Sequence, residues 1–250
     1  MTVDFEELDY RRTPMGELSL RRRHDPRLGG AIFEVKLGDA FLMSSRFTAG
    51  EIALAEYALG AVRKTGIDVL VGGLGLGYTA RAVLDRADVR SLIVIEALPD
   101  VIDWHRRALV PLGAALTADP RCRLVEGDFF ALLNSPDASF APDAVGRKFH
   151  AILVDIDHSP RNHLHPRHAA FYTTDGLRRL AGHLHPDGVF ALWSNDPPDA
   201  EFLSILGEVF ATGDAEVVGF DNPLQDRTAT NTIYVAQASM RRPPKGAKPS

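Results

Sequence analysis

From residue 67 onward the chain alternates short apolar runs with stretches of helical spacing. The runs are 67–71 (IDVLV), 91–95 (SLIVI), 122–125 (CRLV), 151–154 (AILV) and 189–193 (VFALW). Near-continuous apolar runs suit strands buried on both faces. Helices between them make repeated βα units, so the pattern predicts an α/β fold with a doubly wound, Rossmann-like, mostly parallel sheet. The last two runs, 215–220 and 232–236, have no helical stretch between them. Such a pair predicts an antiparallel end to the sheet.

The first 60 residues follow a different rule. Segments 16–20 (GELSL), 31–37 (AIFEVKL) and 40–43 (AFLM) alternate apolar and polar positions or are β-rich, with glycines and polar residues between them. They predict a small antiparallel sheet. Residues 48–62 then place Ile52, Leu54, Ala55, Tyr57, Ala58 and Val62 at helical spacing. Thr48 is the expected N-cap, and Glu51 three residues on completes a capping box. The expected organisation is a β-rich segment over 1–47, a Rossmann-like domain over 48–238 and a tail over 239–250. Residues 241–250 (RRPPKGAKPS) are basic, proline-rich and free of large apolar side chains, and are expected to be disordered.

Composition narrows the function classes. With 250 residues, 45% of them hydrophobic and 24% charged, the chain can bury a core without disulfides or structural metal. The lone cysteine, Cys122, excludes an internal disulfide and a cysteine zinc cluster. A net charge of -5 argues against a strongly basic nucleic-acid binder. The apolar runs fall far short of the roughly 20 residues that span a bilayer. The acidic start, MTVDFEELDY, has no apolar signal-peptide core. A cytoplasmic protein with no membrane or nucleic-acid partner is the expectation.

The chemistry concentrates at the ends of the predicted strands. A strand runs into Gly73-Leu74-Gly75-Leu76-Gly77 and then a helix. Glycines there permit a tight turn and let backbone approach a ligand. The alternative is a tight turn with no ligand. The next strand ends at Glu96, about 20 residues on, where an acid can accept hydrogen bonds from both ribose hydroxyls. After the third strand comes Asp128-Phe129, placed to read an adenine amino group, and after the fourth comes Asp155. Ligands in open α/β sheets bind outside the carboxyl ends of the strands. A nucleoside-type ligand is therefore expected at Gly73, Gly75, Gly77, Glu96, Asp128 and Phe129. This ordered series resembles the class I S-adenosylmethionine-dependent transferase fold, whose seven-stranded sheet ends in an antiparallel seventh strand. A dinucleotide enzyme would prefer G-x-G-x-x-G, whereas this loop reads G-x-G-x-G.

Within that superfamily the chain resembles the spermidine synthase, or polyamine aminopropyltransferase, group over roughly residues 5–238. The helix AGEIALAEYAL lies where the family has a tyrosine–histidine–glutamate helix. VIEALPDVIDWHRRAL, DPRCRLVEGDFFALL, FHAILVDIDHSP and FYTTDGLRRLAGHLHPDGVFALWS resemble its successive blocks in order and spacing. The resemblance implies that Glu96 binds the ribose and Asp128 the adenine amino group. It implies that Asp155, with Asp157 and His158 beside it, orients and deprotonates the acceptor amine. The alternative for Asp155 is a loop acid or helix cap. A homodimer is also implied.

Two departures bear on the donor. The family carries an acid inside its glycine loop, as GGGDG or GGGEG, which helps hold the donor's free ammonium; here the loop is GGLGLG. The family also has a glutamine on the N-terminal strand, where this chain has Phe41-Leu42-Met43. An acid in the loop would repel the carboxylate of intact S-adenosylmethionine, and its loss weakens an ammonium site. The expectation drawn is methyl transfer from S-adenosylmethionine to a small-molecule acceptor, amines among the candidates. The alternatives are aminopropyl transfer from decarboxylated S-adenosylmethionine to a polyamine, and a non-catalytic nucleoside-binding scaffold. Seven histidines crowd the stretch from His150 to His185. His158, His163, His165 and His168 are read as lid or surface positions, with His158 or His163 an alternative general base. A metal held by Asp155-x-Asp157 and Asn195-Asp196 is weighed and not adopted.

Overall fold

The computed structural model describes residues 5–24, 30–135, 139–140, 146–222 and 227–239. The expected disorder of 241–250 lies outside these residues. The architecture is α/β, with two sheets. The first is four-stranded and antiparallel: β1 (Phe5–Thr13), β2 (Gly16–His24), β3 (Ala31–Leu37) and β4 (Ala40–Ser44), paired in sequence order. The second has seven strands: β5 (Ile67–Gly72), β6 (Val89–Glu96), β7 (Cys122–Glu126), β8 (Phe149–Val154), β9 (Leu184–Ser194), β10 (Thr212–Asn222) and β11 (Arg227–Gln237), in the order β10-β11-β9-β8-β5-β6-β7. β5 to β9 are parallel, and β11 runs antiparallel between β9 and β10.

The apolar runs are explained by burial on two faces. Val69, Val71, Leu92, Val94, Ala151 and Leu153 join one core, while Leu70, Ile93, Ile95, Ile152 and Val154 join the other. The first core is covered by α1 (Ala49–Ala61), α2 (Tyr78–Leu84), α3 (Pro99–Arg106), α4 (Gly113–Ala118) and the N-terminal sheet. The second is covered by α5 (Phe129–Asn134), α6 (Thr174–Ala181) and α7 (Ala200–Val209), and is rich in aromatic rings. Side chains alternate across a strand, so an unbroken apolar run serves both layers.

Strand β1 has no counterpart in the apolar pattern. Its side chains are largely exposed, and it is held by pairing with β2, where Arg22 meets Glu6 and Arg21 meets Glu7. It also fastens the small sheet to the large one. Trp104 Nε1 on α3 donates to Asp9 Oδ2 at 2.8 Å, and Arg11 lies 3.4 Å from Asp100.

The expected capping box at α1 does not form. Thr48 precedes the helix but its side chain makes no cap bond. Glu51 instead lies on the row of Leu54, Ala55 and Ala58, which faces the core. Its side chain is thereby carried inward, toward the core.

The sheet order places the crevice. Beyond β5 the chain crosses to β6 on one side, while β8 pairs with the other side of β5. Ligands in such sheets lie at this switch point, outside the carboxyl ends. The opposite ends of these strands are closed by charge. Asp68 on β5 is buried, accepts from Ser91 Oγ at 2.6 Å and Arg147 Nη2 at 3.0 Å, and pairs with Arg90. Burial alone would raise its carboxyl, but Arg90, Ser91 and Arg147 hold it down at about 2. Its usual value is 3.8, so the stabilisation is full above that and fades as pH falls toward 2. Asp68→Asn is expected to cost about 1–3 kcal/mol of stability at neutral pH, measured by urea unfolding, with turnover per folded molecule unchanged.

Candidate active site

A cavity of about 820 Å³ opens at the carboxyl ends of the parallel strands. Its other walls come from β3 and β4, the hairpin β10–β11, and the loop carrying His158, His165, Arg167 and His168. The N-terminal sheet and the C-terminal hairpin thus close over the same rim that the strand ends define.

The glycine loop sits at the switch point because nothing larger fits. Gly73 has φ +95°, and a Cβ there would run into the backbone carbonyl of Asp155 on the neighbouring strand end. Gly75 has φ +48°, and the space its Cβ would take is filled by the thioether of Met43 from β4. Met43 Sδ accepts the N–H of Leu76 at 3.0 Å. From the other side, His105 Nε2 lies 2.9 Å from the carbonyl of Gly75. A carbonyl can only accept, so this nitrogen carries the proton. Burial lowers the pKa of the His105 ring, in keeping with a neutral donor. Gly73 and Gly75 line the cavity; Gly77 opens α2, packs on Leu116 and His105, and does not.

The acids arrive from four elements. Glu96, at the end of β6, accepts the N–H of Leu74 on Oε2 and that of Leu98 on Oε1, both at 2.9 Å. Burial raises its pKa, against the lowering effect of those amides. Asp128 caps α5, and Oδ1 alone accepts both Phe130 N–H and Ala131 N–H at 3.0 Å. Neither cap bond engages Oδ2. Phe129 packs flat against Gly72 beneath the cavity floor. Asp155, just beyond β8, accepts Thr79 Oγ1 at 2.6 Å. Burial pushes its carboxyl up to about 6, with the Thr79 bond pulling the other way.

Glu51 faces the same space from α1. It is 8% exposed and lines the cavity. Burial, and then the charge of Asp155, push it up to about 8. Sequence spacing alone assigned it to a helix cap. The signal that would have found it is an acid on the helical row that is otherwise apolar.

Of the expected site residues, Gly73, Gly75, Glu96, Asp128, Phe129, Asp155 and His158 line one cavity. Asp157 does not join them. It is 1% exposed and turned beneath the loop, where it accepts Leu164 N–H at 2.7 Å and Tyr172 Oη at 3.0 Å and pairs with His168 Nδ1 at 2.8 Å. Two residues past Asp155, it braces the loop from below. With Asp157 so engaged, the Asp-x-Asp pair does not converge, and among the described residues no three His, Cys, Asp or Glu side chains form a metal-binding group. His183 and His185 lie away from the cavity, against Phe140 and His150. Trp193 and Asn195 do line it, as does Asn231 from β11.

Residues 54–202 match the family model described as the spermine/spermidine synthase domain. A polyamine aminopropyltransferase 2 from Pseudomonas aeruginosa is 29% identical over 154 residues, covering 58% of this chain and 40% of that protein. A polyamine aminopropyltransferase from Pyrobaculum islandicum is 24% identical over 122 residues, covering 49% and 39%. The chain thus spans about two fifths of the length of the curated relatives it matches. Among solved structures, the spermidine synthase of Thermotoga maritima superposes with a TM-score of 0.70 at 18% identity, covering 94% of this chain and 74% of that one. Human methyltransferase-like protein 13 in complex with SAH gives 0.52 at 18% identity, covering 80% and 82%. These findings overturn the expectation of methyl transfer: the likeness to methyltransferases is one of fold, while the family model and the curated relatives are those of aminopropyl transfer. The loop acid is a single local position, whereas the cavity is also lined by acids from α1 and from beyond β8. By the match over more than half its length, the chain belongs to the spermine/spermidine synthase family.

Proposed function

We propose that this protein transfers the aminopropyl group of decarboxylated S-adenosylmethionine to a polyamine-type amine. The observation that carries the reading is Asp155, a half-buried carboxylate on the cavity wall at the switch point, held by Thr79 and, among the described residues, facing no cationic side chain. The only lysine or arginine among the described residues lining the cavity is Arg167, exposed on the covering loop. A cavity with four acids and one peripheral arginine suits cationic substrates by charge.

In this reading Glu96 receives the ribose hydroxyls, its two oxygens aimed by the Leu74 and Leu98 amides. Asp128 Oδ2, outside the cap bonds, receives the adenine amino group. Gly73 and Gly75 let the nucleoside lie against bare backbone. The acceptor nitrogen attacks the carbon next to the sulfonium, the carbon–sulfur bond breaks with its electron pair going to sulfur, and methylthioadenosine leaves. The new ammonium gives its proton to Asp155. The enzyme's contribution is nearness, alignment and that proton acceptor. His158 borders the acceptor side, and its carbonyl accepts Asn195 N–H at 2.7 Å, tying the covering loop to the end of β9. A homodimer is part of the proposal, supported by large apolar side chains left exposed on the N-terminal sheet, among them Phe5, Tyr10 and Phe41.

Asp155→Asn is expected to lower kcat by about 100-fold to 10,000-fold, the range of a lost general base. Calorimetric binding of methylthioadenosine should stay within a few-fold of the parent. A variant retaining a tenth of the parental turnover would remove Asp155 from the proton path. The pH profile is a second test. Asp155 must be ionised to accept the proton, so kcat/KM is expected to rise with pH through about 6 and on toward 8, as the pair it forms with Glu51 loses protons. The Thr79 bond favours the ionised form, so Thr79→Val is expected to move the rising limb to higher pH.

A further inference from the structure

The donor in this reaction carries two positive centres, a sulfonium and a terminal ammonium. The glycine loop, GGLGLG, offers the ammonium no acid. It has no room for one at Gly75, where Met43 from β4 occupies the place of a side chain and is fixed there by the Leu76 N–H. The ammonium therefore needs a carboxylate from another element.

We propose, on the basis of the aminopropyltransferase reading, that Glu51 is the seat of the donor's ammonium and selects the decarboxylated donor. Glu51 is more than nine-tenths buried, lines the cavity, and has no cationic side chain among its interactions. A carboxyl so placed costs free energy unless a ligand supplies the opposite charge. Its position is built in by the helix it sits on. Gly50, one residue before it, lets the first turn of α1 lie directly against Trp193 Nε1 and Asn231 Oδ1, where a Cβ would collide with both. The turn is thus pressed onto β9 and β11, and the next residue, Glu51, is presented to the cavity. Asp155 lines the same cavity, and its charge acts on Glu51. An ammonium between the two carboxylates is attracted by both. A donor retaining its carboxylate would bring a third negative charge to the same place and be repelled. The selectivity that the loop acid would provide is relocated to α1.

Calorimetry separates this from the parent reading. The wild type, Glu51→Gln and Glu51→Asp are each titrated with decarboxylated S-adenosylmethionine, with intact S-adenosylmethionine, and with methylthioadenosine, which has no ammonium. Glu51→Gln is expected to bind the decarboxylated donor roughly 10-fold to 100-fold more weakly and methylthioadenosine within about threefold of the wild type. Glu51→Asp should recover part of the loss, and the preference for the decarboxylated over the intact donor should shrink in Glu51→Gln. Unchanged donor affinity with a raised acceptor KM would overturn the assignment and give Glu51 to the acceptor amine. A wild type that binds intact S-adenosylmethionine as tightly as the decarboxylated form would instead sink the aminopropyltransferase reading itself. The fold is checked in the same samples. The titratable side chains recorded around Glu51 are Asp155 and Tyr78. With Glu51 pushed up from 4.5 to about 8, wild-type stability falls as pH rises between those values, because the unfolded chain releases the proton first. Glu51→Gln is expected to melt higher than the wild type at pH 9.

Discussion

Two carboxylates in one cavity, with no cationic side chain among the described residues between them, set the terms for the rest of this molecule. Glu51 and Asp155 come from elements far apart in sequence, yet each lines the same cavity and is held above its usual pKa by burial. A chain folding for stability alone would neutralise such a pair or expose it to water. This one surrounds it instead. The four-stranded sheet, the C-terminal hairpin and the covering loop all close on the rim where the pair lies. Their apolar burial offsets the cost of holding these acids there, a cost that the proposed cationic substrate would remove.

The N-terminal sheet is tied into that arrangement at two points. At one end Asp9 accepts the indole N–H of Trp104 on α3. The next residue of α3, His105, reaches the carbonyl of Gly75. At the other end Met43 of β4 covers Gly75 and accepts from Leu76. The glycine loop is therefore gripped from both sides, by a helix that the small sheet anchors and by a strand of the small sheet itself. A loop made of glycines has the conformational freedom to take positive φ, and also the freedom to leave it. The grip narrows that freedom, so the backbone that lines the cavity is preorganised.

Much of this was legible in the sequence, for physical reasons. Strands buried on both faces have to be apolar throughout, which exposed β5, β6 and β8. The polarity of a parallel sheet puts every strand's carboxyl end on one rim, so the sequence alone makes Glu96, Asp128 and Asp155 readable as neighbours. β1 was not readable, because its hold comes from charge pairs and ladder bonds with β2 rather than from an apolar face. Asp157 was misplaced because alternation stops where a strand ends, and nothing in a loop's sequence says which of two acids turns outward. Glu51 was hidden by an ambiguity: Thr48-x-x-Glu51 satisfies the spacing of a capping box, and the same residue lies in register with Leu54, Ala55 and Ala58. The core-facing row won because the helix packs that row against the sheet, and a side chain cannot serve both places.

The strand β5 and its neighbours show how one sheet treats acids in opposite ways at its two ends. At the amino end Asp68 is buried with Arg90, Arg147 and Ser91 around it, and its carboxyl is held at about 2. At the carboxyl end Asp155 is half-buried with a single hydroxyl bonded to it, and its carboxyl stands at about 6. Both are desolvated; the difference lies in whether the protein itself supplies the counter-charge. Where it does, the acid is a fastening and its ionisation is complete across the working pH range. Where it does not, the acid is poised to take up or release a proton near neutrality, and its missing partner defines the charge of the ligand.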